Sequence, residues 1–295
     1  MKTMTSSSFA RRISLANLIA QSLIILTGAI VRLTGSGLGC PTWPNCAPGS
    51  LIPVAEQVEG FHKYIEFGNR LLTFAVLAIS IALFVVALMR KKRQIILWAS
   101  LPLIGTLLQA VLGGITVLTG LNPFTVMAHF LLSIILVAIS VKIFAYFSEK
   151  TYQYKLPKIV DIYLQILTLI GFIVIVLGTI TTGSGPHSGD EIAARFNLDV
   201  REVAWLHADS VLLFVGLVIG LQVITRLDKD LFYLQINAKI LLAICVIQGF
   251  IGYVQWFSSV PWILVSVHVA GAVITWITLV NLSLHSSNSF LHGLK

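Results

Sequence analysis

Charge is what this sequence has least of. Asp, Glu, Lys and Arg make up 11% of its 295 residues, against 57% hydrophobic, and the mean hydropathy is +0.91. A soluble domain covers its surface with about 25% charged residues, so a soluble globular protein is excluded and a polytopic membrane protein is implied. Acidic residues are the scarcer sign, 12 against 20 Lys and Arg, for a formal net charge of +8. The basic excess lies in short loops between apolar runs. That pattern reports membrane topology and excludes a nucleic-acid-binding surface. Cysteine is also rare. Three residues exclude a disulfide-rich scaffold, and Cys40 and Cys46 are the only close pair.

What the chain has is long apolar runs. The first, about 13–33, follows a polar, basic start, has no small-residue cleavage site at its end and precedes more apolar chain, so it reads as a membrane span and not a signal peptide. Seven more follow near 64–89, 95–118, 124–147, 159–182, 203–225, 236–257 and 260–284, each long enough to cross about 30 Å of hydrocarbon. Lys2, Arg11 and Arg12, the Arg90 to Arg93 cluster, Lys142 to Lys158, Arg226 to Lys239 and Lys295 fall on one side. They hold 15 of the 20 basic residues, which predicts a multi-pass protein with both termini cytoplasmic.

The spans repeat. TGSG at 34–37 returns at 182–185, Gln109-x-x-x-Gly113 returns as Gln248-x-x-x-Gly252, and His129 returns as His268, the last two at an offset of 139 residues. The expected fold is all-α: eight transmembrane helices as two tandem four-helix bundles, 1–150 and 151–295, related by a pseudo-two-fold axis along the membrane normal. His129, His207 and His268 lie near the starts of the fourth, sixth and eighth spans, at similar predicted depth in the outer half of the bilayer. The repeat partner of His207 is Asn69. A single intramembrane histidine more often has a structural role. The pair His207 and His268 points instead to axial ligation of a heme iron between facing helices. Zinc lacks the further ligands it needs.

The second span opens with FHKYIEFGNRLLTF at 61–74, which sets Glu66 and Arg70 one turn apart on a helical face, with His62 a turn earlier. Ionisable groups at such a place are costly unless paired or used. Arg32 and Arg70 suit anionic groups such as heme propionates, or simply snorkel. Cys40 and Cys46, in the first external loop, read as a redox-active pair, as a staple closing a small loop, or as two free thiols. Cys245 reads as a small apolar residue, His187 as a loop residue or the cover of a cofactor edge, and His285 and His292 as chemically idle.

VRLTGSGLGCPTWPNC at 31–46 and IEFGNRLLT at 65–73 resemble the heme A synthases, especially those of high-GC Gram-positive bacteria, and the resemblance extends over nearly the whole chain. It implies an oxidoreductase of the plasma membrane that converts heme O to heme A. One porphyrin methyl is oxidised to a formyl group by successive hydroxylations, for use in cytochrome oxidase. It implies that 1–150 holds the substrate heme, with His129 as a ligand, and that 151–295 holds a resident heme b between His207 and His268. It further implies that Glu66 is catalytic, that Cys40 and Cys46 are disulfide-bonded, and that the enzyme making heme O and an electron acceptor are partners. The sequence departs from the family's Glu-x-x-His-Arg motif at Asn69. His62 as a surrogate ligand, an open sixth position, and ligation by His129 alone are the alternatives. Two rival classes remain, a non-catalytic diheme cytochrome b and a transporter. The small-residue faces Gly113-Gly114 and Gly249-x-x-Gly252 can pack within or between chains, leaving a homo-oligomer open.

Overall fold

The computed structural model describes residues 7–148 and 156–285. Lys2, Lys150, Lys155, His292 and Lys295, and the expected boundary between 150 and 151, lie outside them. Among the described residues the chain is all-helical, with helices α1 Ser7–Leu33, α2 His62–Met89, α3 Arg93–Leu118, α4 Pro123–Phe147, α5 Lys158–Ser184, α6 Val200–Leu227, α7 Phe232–Phe257 and α8 Trp262–Ser283. All eight are long and apolar enough to cross a membrane. They carry the eight expected spans and overrun several of them by a turn. α6 begins at Val200 because Asp199 caps it, accepting from the Arg201 and Glu202 N–H groups. α7 begins at Phe232 because Asp228 starts a 3-10 turn, Lys229–Leu231, that runs into the helix. α4 starts on the Asn122 cap with Pro123 at its first position, where the missing N–H costs nothing.

The chain divides into two compact units. The first comprises 1–148 together with 182–198. In it α1 packs against α2 and α4, and α3 against α2 and α4, closing a four-helix ring. A buried polar chain ties all four helices together: Asn17 donates to Ser140, Ser80 donates to Asn17, and Gln21 donates to Thr106. These side chains are at most 3% exposed. In an apolar bundle such pairs specify register, because an unpaired polar group would face hydrocarbon. Residues 182–198 close over the end of this unit that carries the 34–61 loop: the Gly37 N–H donates to the Gly189 carbonyl, Arg32 Nε donates to the His187 carbonyl, and the Phe196 ring meets Phe124 edge-on. Gly35, just past the end of α1, has φ +67°, so TGSG there is a helix-terminating turn.

The second unit comprises 149–181 and 199–295. α7 packs against α6 and α8. α5 reaches α6 through the Tyr163 hydroxyl, which donates to the Leu217 carbonyl, and meets α8 through Phe172 against Trp276.

Candidate functional site

In the first unit, the site grows from the Glu66–Arg70 turn of α2. Arg70 uses all five of its N–H donors within the protein. Nε and Nη2 donate to Glu66 Oε1, Nη1 donates to the carbonyls of Thr42 and Asn45, and Nη2 also donates to the Cys40 carbonyl. No donor is left for a heme propionate in this arrangement. Glu66, 5% exposed, accepts the Cys40 N–H through Oε2 at 2.6 Å. A carboxylate and a guanidinium one turn apart thus grip the backbone on both sides of the Cys40–Cys46 bond, which the structure shows as a disulfide. Lys63, 3% exposed, donates to the carbonyls of Val54 and Ala55, and Gln57 accepts the Val54 N–H, so the remainder of the loop is also held by polar side chains. Trp43, inside the disulfide ring, lies over Gly114 of α3, where a Cβ would collide with the indole.

His62 is set apart from this clamp. It stands exposed at the start of α2, with Nδ1 hydrogen-bonded to Ser36 Oγ at 2.8 Å. His187 takes part through its backbone, by the Arg32 contact described above. His285 shares a 3.4 Å contact between its Nε2 and Asn237 Nδ2. Cys245 is buried and unbonded to another cysteine.

The other histidines share one design. His129 of α4 lies on Gly113 of α3, His207 of α6 on Gly178 of α5, and His268 of α8 on Gly252 of α7. A Cβ built on these glycines would lie 3.3, 3.2 and 3.5 Å from the imidazole Cε1. Each pair joins an odd-numbered helix to the next even one. A glycine inside a helix costs about 1 kcal/mol relative to alanine, and here it makes room for a ring edge. The Nδ1 atoms of all three histidines are shielded from solvent and have no hydrogen-bond partner by strict geometry; that of His207 leans toward the Val174 backbone. Gln109, four residues before Gly113, donates to the His129 carbonyl and to Ser133, bracing that histidine's helix.

A fourth pair completes the series. Asn69 of α2 faces Gly28 of α1, its Nδ2 3.9 Å from the position of a Cβ there. Asn69 therefore occupies the seat that histidine occupies in the other three pairs. Sequence reading found Gln109-x-x-x-Gly113 and its copy but not the task of the glycine. The available signal was a glycine inside each odd-numbered apolar run, which helix propensity alone does not explain.

Imidazoles seated on glycines, with shielded ring nitrogens otherwise unsatisfied, fit a heme held between helices. A buried polar atom without a partner calls for one, and imidazole is a side chain that heme iron accepts as an axial ligand. Fold and site together define a multi-pass membrane protein with three histidines, each seated on a glycine of the preceding helix. A model of the cytochrome oxidase assembly protein family matches residues 11–280, and the chain belongs to that family. A heme A synthase of Geobacillus thermodenitrificans is 37% identical over 115 residues, 38% of this chain and 34% of that protein. One of Lysinibacillus sphaericus is 37% identical over 136 residues, 45% of this chain and 43% of that protein. One of Geobacillus kaustophilus is 32% identical over 109 residues, 36% and 33% of the two chains. The chain thus matches less than half the length of each of these relatives.

Proposed function

We propose that this protein is a heme A synthase, an oxidoreductase that takes heme O as substrate and oxidises one porphyrin methyl to a formyl group. The observation that carries the reading is the seating of His129, His207 and His268 on helical glycines in a chain of this family. In the second unit His207 and His268 would hold a resident heme b, which supplies one-electron transfer when bound. In the first unit His129 would hold the substrate heme. Glu66 is the proposed catalytic group: it lies one turn from Asn69 on α2, and as a general base it would accept a proton during methyl oxidation. The Arg70 guanidinium beside it keeps the carboxylate in place and holds the disulfide loop. His62, hydrogen-bonded to Ser36, is the weaker candidate for a substrate-heme ligand.

The two units, with matched glycine–side-chain pairs, support the reading of a tandem duplication. The Lys and Arg distribution supports a plasma-membrane protein with both termini cytoplasmic. The reaction requires an electron acceptor, and the enzyme that makes heme O is a proposed partner.

The test is expression in a host that makes heme O but no heme A, followed by extraction and mass analysis of membrane hemes. Heme A or its hydroxylated precursor is expected. Unmodified heme O beside heme b, from folded protein with its electron acceptor present, would replace the reading with a diheme electron carrier. Glu66→Gln with undiminished conversion would remove Glu66 from the chemistry while leaving the enzyme reading intact.

A further inference from the structure

Of the two arginines that the sequence offers to an anion, the structure engages one fully and the other barely. Arg70 has no donor to spare. Arg32, in the last turn of α1, makes a single hydrogen bond, from Nε to the His187 carbonyl at 2.9 Å. Its two Nη atoms carry four N–H donors, and these have no hydrogen-bond partner among the described residues, where the one ion pair is Glu66–Arg70. A side chain that merely reaches for water has a free stem, and the stem of Arg32 is held. Its Cγ is 3.6 Å from where a Cβ on Gly189 would stand. Gly189 has φ +111°, and its carbonyl accepts the Gly37 N–H, so the covering segment and the turn that ends α1 are joined beside this stem. Anchored at the stem and at Nε, the planar fork keeps one orientation with both Nη atoms unused. Arg32 is also half-buried. A cation partly withdrawn from water without a counter-charge is costly, and a fork fixed in advance loses little freedom when an oxyanion takes it. The second TGSG has Ile180 where the first has Arg32, so the feature belongs to the first unit alone.

We propose that Arg32 is the oxyanion receptor of the first unit: its two Nη atoms bind a carboxylate or phosphate group at the end of the unit that carries the 34–61 loop, and the 182–198 segment holds the fork in position. Two sources present this chemistry. One is the carboxylates of the substrate porphyrin, which rests on the reading of the first unit as the substrate site. The other is the phosphate of an anionic lipid headgroup, which does not rest on it.

The full chain and its variants are placed in phosphatidylcholine nanodiscs and titrated optically with ferric protoporphyrin and with its dimethyl ester, which lacks the carboxylate charges. In a second arm the nanodiscs also contain phosphatidylglycerol, and the lipid retained per chain is counted by native mass spectrometry. Arg32→Gln removes the receptor. Arg195→Gln is the control of equal charge on the same segment, since Arg195 is exposed and bonded to the Pro186 carbonyl. With porphyrin as the source, the parent binds the free acid about tenfold tighter than the ester, as one charge-assisted pair implies, and Arg32→Gln removes that preference while Arg195→Gln keeps it. With lipid as the source, acid and ester bind alike and phosphatidylglycerol retention falls about tenfold in Arg32→Gln alone. An Arg32→Gln chain that matches the parent in both arms would overturn the receptor. Equal losses in Arg32→Gln and Arg195→Gln would overturn it too, because they report net charge only. Arg32→Lys keeps the charge without the fork and serves where the glutamine variant misfolds: a severalfold loss is expected, and parental binding would overturn the role of the fork. Binding is read here and not conversion, so a parent that makes no heme A would remove the enzyme reading and leave an Arg32-dependent lipid site standing.

Discussion

Removing the Arg70 guanidinium should loosen the disulfide loop without breaking the disulfide. In Arg70→Ala the carbonyls of Cys40, Thr42 and Asn45 lose their charged donor, and Glu66 keeps only the Cys40 N–H. Hydrogen bonds to charged groups contribute about 1.5–3 kcal/mol each, and removing one partner of a buried ion pair costs about 3–5 kcal/mol. The Arg70 side chain is 20% exposed and Glu66 7%. Water therefore recovers part of each loss, and a net cost of about 3 kcal/mol at the lower end of that range is reasonable. At 1.4 kcal/mol per factor of ten, opening of the loop should become about 100-fold more frequent. The assay is amide hydrogen exchange of the segment 39–50 by mass spectrometry under conditions where exchange follows the opening equilibrium. The Cys40, Cys46 and Ala47 N–H groups, which donate to Glu66 and to the Ser50 carbonyl, are the reporters. Arg70→Lys keeps the charge but has no planar fork to reach three carbonyls and a carboxylate, so it should exchange faster than the parent by about tenfold. Parental exchange rates in Arg70→Ala would refute the clamp.

The glycine seats predict a graded series. Gly178→Ala and Gly113→Ala place a methyl 3.2 and 3.3 Å from the imidazole and should shift the optical and paramagnetic resonance spectra of the heme proposed for that histidine, whereas Gly252→Ala, at 3.5 Å, should leave the corresponding spectrum nearly parental. The seat of Trp43 predicts a coupled pair. Gly114→Ala alone should accelerate exchange in the disulfide loop, and adding Trp43→Ala should cancel most of that effect, a non-additivity read from a double-mutant cycle.

The eight helices were legible in the sequence because an apolar run of membrane length admits few other folds. Their ends were less so. Asp199 and Asp228 are caps whose effect reaches a turn beyond the apolar pattern that marked the spans. The spacing of Glu66 and Arg70 announced a paired face. It did not announce that the pair grips the disulfide loop, because the acceptors are backbone carbonyls and an N–H, which leave no mark in a sequence. The placement of Cys40 and Cys46 in an external loop already favoured the bond that the structure shows, and the resemblance implied it; what spacing left open was whether the pair is redox-active or a staple. The glycine seats were hidden for another reason: the partners lie between 16 and 41 residues apart, on different helices, and glycine in an apolar run reads first as a close-packing residue.

The segment 182–198 has a consequence for how the protein is made. It belongs to the first unit, yet it is synthesised after α5. When α4 has entered the bilayer, the first unit already has its four helices but lacks the strand of chain that satisfies the Gly37 N–H and the Arg32 Nε. Its maturation therefore waits for one more membrane crossing and the return of the trailing loop. A fragment ending at residue 148 should insert and collapse but remain uncapped, and supplying the missing half in trans should restore the cap only if the second fragment begins early enough to carry residues 182–198.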